Sequence, residues 1–345
     1  MSTGTAIQSA AQPAAPFNLS ARKDNAEAFD FEREVRTAWD SFPDIINRVF
    51  FLDIANQRLV YPGDKDSMTV AGTALNHDRG LLEEVRQSKE EKRNRAYPGK
   101  NGNYVLLYTK EDGKDLSRYG ISREQLMYFA FDHEFAHAMM PGALDTKNMN
   151  LAECMADAYA VIRHFQRFGA DSTAPDALMA YRAAKFVFRN DHDKEAAADH
   201  FTAPVLEQIL ARRHDIDWSK LTPQETRKLA FRFAAQYALH PMVLKAMDDS
   251  FGDFHGMSAK FGDGDYTGLP AAATTLGETK TPHVLQWGLL ALRCIADSAP
   301  PVPGLDATLQ QLGEKAKRDG DIFFGLGDAA RPLKRPHPAR AANQP

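Results

Sequence analysis

The stretch Phe131-Asp132-His133-Glu134-Phe135-Ala136-His137 sets two imidazoles four residues apart, with a carboxylate directly after the first. On a helix, residues i and i+4 share a face, so His133 and His137 can grip one divalent ion together. Glu134 sits about 100° round the helix at 3.6 residues per turn, where it can reach a water held by that ion. The chemistry open to such a set is metal-assisted hydrolysis, with two His ligands and a Glu as general base.

These residues need a helix to hold them, and the flanking sequence supplies one. Ser122-Arg123-Glu124-Gln125 has the spacing of a capping box, a hydroxyl followed three residues later by Gln, and starts a helix about three turns before His133. Leu126, Met127, Tyr128, Phe129, Ala130 and Phe131 are apolar or aromatic, so the helix is buried nearly all round. Polar groups in such a helix need partners, because each one buried without any costs about 1–3 kcal/mol. Pro141-Gly142 then ends the helix one turn past His137.

A second helix follows. Asn150-Leu151-Ala152-Glu153 again has cap-and-return spacing, and Glu153 and Asp157 stand four apart in an apolar run that ends near Phe168-Gly169. Two His and one Glu with an open fourth position form a standard catalytic zinc set, which makes Glu153 the third ligand. Asp157, one turn on, then accepts a hydrogen bond from the far nitrogen of a ligating His and fixes its tautomer. Asp157 as the direct ligand is the alternative.

His133-Glu134-x-x-His137 followed by Glu153-x-x-x-Asp157 resembles the gluzincin type of zinc metallopeptidase, the thermolysin-like clan, over residues 121–168. The resemblance implies an upper lobe with a small sheet, two site helices side by side, and a mostly helical lower lobe. It also implies zinc as cofactor, a peptide or protein substrate, and hydrolysis by a water polarised between metal and Glu134. The loop between His137 and Glu153 is shorter than such proteins usually have, which keeps Asp157 in contention as ligand. The metzincin pattern is excluded, since it requires Gly where Met140 stands and His where Ala143 stands.

Composition bounds the rest. The 345 residues are 43% hydrophobic, enough for one large domain or two modest ones, with a formal net charge of −4 from 42 basic and 46 acidic side chains. No basic block interrupts the body of the chain, so nucleic acid is not an expected partner. Two cysteines, Cys154 and Cys294, make no disulfide scaffold, and Cys154 reads as a small core residue. No apolar run approaches the ~18–20 residues of a membrane span. Residues 1–18 read as a disordered leader without the features of a signal peptide, so a cytoplasmic location is the default and export without a cleaved signal is left open. The division expected is a zincin-like catalytic region over 19–169, a helical region over 170–328, and a disordered basic, Pro-rich tail over 329–345.

Along the chain, a helix over Asp30–Ser41 precedes strands at Arg48–Asp53 and Gln57–Tyr61, and Leu81–Lys92 reads as a charged helix with a solvated face. Asn103–Thr109 is the strongest strand: by the family resemblance it is a candidate free edge for a substrate backbone, and otherwise a central strand. Further helices are expected over 173–187, 195–212, 222–238 and 281–295, with a restart or bend at Pro241, whereas 251–280 reads as irregular. Asp263–Gly268 begins like a calcium loop but has Thr274 where a bidentate Glu is required, so it reads as a turn. Asp191-His192-Asp193 with Asp199-His200 reads as a solvated helix start. The fold class is therefore α+β, predominantly helical.

Hydrolysis also needs a donor for the developing oxyanion. His164 is excluded, because three turns along the helix from Glu153 place it too far away. Tyr159, His192, His200, His240, His255 and Tyr266 remain, with His240 and His255 favoured as residues of a facing lobe. Two other readings stand beside the peptidase. One is a zinc hydrolase of another amide or ester; the other is a non-catalytic helical binding protein with a structural metal or a buried polar cluster.

Overall fold

Strand β1 (Val49–Asp53) runs parallel to β5 (Gly102–Leu107), and this pair forms the centre of a five-stranded mixed sheet. On one side β1 pairs antiparallel with β2 (Arg58–Val60), which pairs with β3 (Met68–Thr69); on the other, β5 pairs antiparallel with β4 (Arg95–Gly99). The computed structural model describes residues 28–46, 48–56, 58–60, 68–69, 78–99, 102–109, 121–140, 148–190, 194–297 and 299–324. Pro141-Gly142, Asp191-His192-Asp193, the leader over 1–18 and the tail over 329–345 lie outside these residues. Among the described residues the chain is mostly helical, with this one small mixed sheet.

Both faces of the sheet are covered, which is why β1 and β5 read as near-continuous apolar runs. Leu52, Tyr104 and Leu106 point to one face, against Leu81 of helix α2 (Arg79–Glu90). Val49, Phe51, Val105 and Leu107 point to the other, against helix α3 (Arg123–Met139). There Phe51 stacks on Phe131 with centroids 5.5 Å apart and meets Phe135 at 5.6 Å, while Trp39 of helix α1 (Phe31–Ser41) closes on Phe51 from the edge. Asn103 Nδ2 donates to the carbonyl of Ala138 at 2.7 Å, tying β5 to the last turn of α3.

The position of β5 decides between the two expectations for this strand. It is a central strand, paired on both sides, so residues 103–109 do not offer a free edge. The end of the sheet near α3 is β4, a strand not expected from the sequence, with Pro98 and Gly99 in its last two positions. Pro lacks the N–H of a central strand and is tolerated at an edge, which is where it lies.

Helix α4 (Met149–Phe168) packs along α3. It starts two residues before the expected cap: Asn148 accepts from the Leu151 amide, and Asn150 is inside the helix. Helix α5 (Ala174–Val187) follows within a residue of expectation. The expected helix over 195–212 is in fact two, α6 (Lys194–Asp199) and α7 (Ala203–Leu210), separated at His200-Phe201-Thr202. Pro204, at the start of α7, cannot supply the amide that a continuous helix needs there.

Helix α8 (Pro223–Tyr237) carries the complete Thr222/Glu225 capping box, and α9 (Pro241–Ser250) restarts with His240 as its N-cap. The segment expected to be irregular contains α10 (Met257–Gly262) and α11 (Leu269–Glu278), because its small residues Ala272 and Ala273 allow close packing. Asp263–Gly268 is a turn, with Asp265 Oδ1 accepting from the Thr267 amide and hydroxyl. Helix α12 (Pro282–Ala296) packs on α5 and α11, and α13 (Leu305–Phe324) lies against both α11 and α12.

Candidate metal centre

The capping box at Ser122 and Gln125 is fully formed, with both reciprocal bonds present, and fixes where α3 begins. Its register then places His133 and His137 on one face, towards α4, with their Nε2 atoms 3.2 Å apart. Glu153 of α4 faces both: Oε2 lies 3.3 Å from His133 Nε2, and Oε1 lies 3.3 Å from His137 Nε2. Among the described residues, one group of side chains brings its ligand atoms within 4.8 Å of one another, and it is His133, His137 and Glu153.

These distances fit one ion. Ligand atoms about 2.0–2.1 Å from a tetrahedral centre lie about 3.3 Å from each other; here the two Nε2 atoms are 3.2 Å apart and each has its own Glu153 oxygen at 3.3 Å, Oε2 for His133 and Oε1 for His137. Glu153 Oε2 is buried without a hydrogen-bond partner among the described residues, an expensive state for a carboxylate that a cation would relieve. The group can therefore hold a metal ion through two nitrogens and one carboxylate.

Asp157 takes a different place. Its Oδ1 lies 2.8 Å from His133 Nδ1, on the far side of the ring from Nε2. An ionised carboxylate only accepts, so Nδ1 carries the proton and Nε2 presents its lone pair to the site in the neutral ring. Asp157 is in turn held by Arg182 of α5, whose Nε and Nη2 each donate at 2.8 Å, and by the Thr202 hydroxyl at 2.5 Å. With its oxygens committed to these donors, it faces away from the point where the two Nε2 atoms converge.

The charges respond to one another. Burial opposes ionisation of His133, but the neighbouring carboxylates of Asp157, which accepts from Nδ1, and Glu153 outweigh it and raise its pKa to about 10. Burial likewise pushes Glu153 and Asp157 up, and the neighbouring imidazoles and Arg182 more than reverse this, so both carboxyls are held below their usual range. Without a metal, an imidazolium sits between two carboxylates and supplies the positive charge. Glu134 is half-buried next to His133 on α3. Burial pushes the Cys154 thiol up, and its Sγ–H reaches Asn150 Oδ1 at 3.7 Å, which makes it a core residue.

The candidate oxyanion donors are dispersed. His240 caps α9 through Nδ1 and is exposed, and His255 lies near Asp248 and lines a cavity of about 380 Å³ that no residue of the metal cluster enters. The two favoured histidines are thus not brought to the cluster. Tyr266 stacks on Phe261, and buried Tyr159 lines a water-sized cavity with Asp132 and Arg167. His164 is buried in the core, stacked on Phe129 and bonded through Nε2 to the Ser172 hydroxyl at 2.8 Å. His192 lies outside the described residues. His200, read from sequence as part of a solvated helix start, is the one brought in, with Nε2 3.3 Å from Glu153 Oε2.

Arg182 and Thr202 are not among the residues the sequence singles out. Arg182 carries no spacing signal, since its partner is 25 residues away on another helix. Thr202-Ala203-Pro204 does carry one, a hydroxyl ahead of an N-terminal proline, which marks a helix start and hence a break before it.

No family model, curated protein or solved structure matches this chain.

Proposed function

We propose that this chain is a zinc-dependent metallopeptidase of the gluzincin type. The observation that carries the reading is the convergence of His133, His137 and the Glu153 carboxylate, with ligand atoms within 4.8 Å of one another, and with Glu134 next to the first ligand on the same helix. His-His-Glu leaves a fourth position open, and a zinc ion so bound supplies Lewis acidity that lowers the pKa of water toward ~7.

The protein's own residues then share the work. Asp157, clamped by Arg182 and Thr202, orients His133 and keeps its Nδ1 protonated. Glu134 accepts a proton from the attacking water at its carboxylate and returns it to the leaving amine nitrogen. The zincin-like division follows, with the sheet, α3 and α4 as the upper lobe and the helices from α5 onward as the lower. Strand β4, at the end of the sheet and against α3, takes the place of β5 as the edge on which an extended peptide adds.

The test combines metal analysis with a peptide-library digest, with and without chelator. Purified protein should carry one zinc and cleave in a chelator-sensitive way; Glu134→Gln should keep the metal and lose turnover, and His137→Ala should lose both. Absence of stoichiometric zinc, or a Gln variant as fast as wild type, would sink the reading. Zinc without peptide cleavage would move the substrate to another amide or ester.

A further inference from the structure

His200 lies at a break between two helices, and the break is held from both sides by α4. Asn150 Nδ2 donates to the carbonyls of Ala198, Asp199 and Phe201 at 3.2, 2.9 and 3.2 Å, one turn before Glu153. Asp157, one turn after Glu153, accepts from Thr202. Phe201 between them is fully buried, stacked on Phe186 at 4.2 Å with Trp287 edge-on at 5.6 Å. Asn150 thus holds backbone carbonyls of residues 198, 199 and 201, Asp157 holds the Thr202 side chain, and the side chain between them, His200, is the one opposite Glu153.

Burial does not explain that placement. The His200 side chain is 34% exposed, while Glu153 is 6% exposed, so the imidazole covers the carboxylate from the solvent side. His200 is also outside the group whose ligand atoms all lie within 4.8 Å, so it touches the carboxylate without joining both ligand histidines. The 3.3 Å approach of Nε2 to Oε2 is a contact and charge interaction, not a formed hydrogen bond, and it occupies the space into which the carboxylate would otherwise turn.

We infer that His200 is a positioning residue of the metal centre, restraining Glu153 from the solvent side through its Nε2. The inference rests on the proposal that His133, His137 and Glu153 bind a metal, and it gives the break at 200–202 a purpose: a continuous helix would not be pinned by Asn150 and Asp157 in this way. Residues that orient metal ligands typically change metal affinity by about 10–100-fold when removed.

The test titrates metal-free full-length protein with Co²⁺ alone, followed by its visible absorption, and with Zn²⁺ in competition against a chromophoric chelator. His200→Ala should bind both ions about 10–100-fold more weakly, with a shifted Co²⁺ band as the Glu153 carboxylate reorients. His200→Gln, whose amide nitrogen can reach the position of Nε2, should recover most of the affinity and the original band; His200→Asn, which is shorter, should not. Wild-type affinity and an unchanged band in both the Ala and Asn variants would overturn the inference. If the Ala variant fails to fold, the Gln and Asn variants still decide it, since equal affinities for those two would count against a role for Nε2. A wild-type protein that binds neither ion would instead remove the metal centre on which the inference stands.

Discussion

Asp157 Oδ1 stands 2.8 Å from His133 Nδ1, and both Asp157 oxygens are also bound by Arg182 of a third helix. One carboxylate therefore links α3, α4 and α5 behind the candidate metal ligands and sets the tautomer of the first of them.

Breaking that link should affect metal and fold separately. Asp157→Asn retains the shape but loses the charge, and should weaken zinc binding by about 10–100-fold. Arg182→Ala leaves Asp157, which is 1% exposed, without its main counter-charge, and should cost about 3 kcal/mol or more in urea unfolding of the metal-free protein. A Asp157→Asn variant with wild-type zinc affinity would show that the hydrogen bond to His133 does not shape the site.

On the proposed reading, a proton and a metal ion would compete for His133. Its pKa of about 10 in the metal-free site means that a proton must leave before Nε2 can bind an ion. Zinc affinity should therefore rise about tenfold per pH unit from pH 7 toward pH 10, as expected for the release of one proton. The metal-free protein should do the opposite. A pKa raised above the unfolded value of about 6.5 gives stability that is complete below pH 6.5 and is lost as pH rises through about 10. Affinity independent of pH across this window, measured by competition titration, would contradict the charge arrangement described.

His164 has the reverse sign. Burial first, and the Arg167 charge second, lower its pKa to about 3, so the folded protein keeps the ring neutral. The stability this gives is complete above pH 6.5 and is lost as pH falls from there toward 3, by up to about 1.4 kcal/mol per unit. Replacing His164 with Gln should flatten the acid limb of the stability curve, whatever it costs at neutral pH. An acid limb of unchanged slope would mean that other groups carry it.

The local parts of this site were legible in the sequence because local rules determine them. Ser122 and Gln125 set the start of α3, and a spacing of four residues set the histidine face. The Glu153/Asp157 pair was visible by the same rule, although α4 begins at Asn148 and not at Asn150. What sequence spacing could not supply were contacts between distant segments. Nothing near Arg182 points to Asp157, and nothing near His200 points to Glu153, since each pair meets only when α4 packs against the helices that follow. Strand β4 was hidden for a different reason: its Pro98 and Gly99 have poor strand propensity, and pairing with Gly102 and Asn103 of β5 overrides it.

The residue before the first ligand anchors the other side of α3. Asp132 is 2% exposed and pairs with Arg167 of α4, whose Nη2 also donates to Glu34 of α1 at 2.8 Å and whose guanidinium lies 4.7 Å from the centre of the Tyr128 ring. About 100° round the helix from His133, this network holds α3 and α4 together where it does not touch the metal ligands. Arg167→Ala leaves buried Asp132 with only the more distant charge of Arg163 at 3.8 Å and Glu34 with only Arg33 at 3.5 Å, and should destabilise the fold by about 3–5 kcal/mol. Arg167→Lys should recover only part of this, because an ammonium cannot bridge Asp132 and Glu34 with a planar fork. Both variants, where folded, should bind zinc within a few-fold of wild type, as checked by denaturation and metal titration on the same samples. A stable Arg167→Ala protein would show that apolar packing between α3 and α4 suffices to hold the ligands in register.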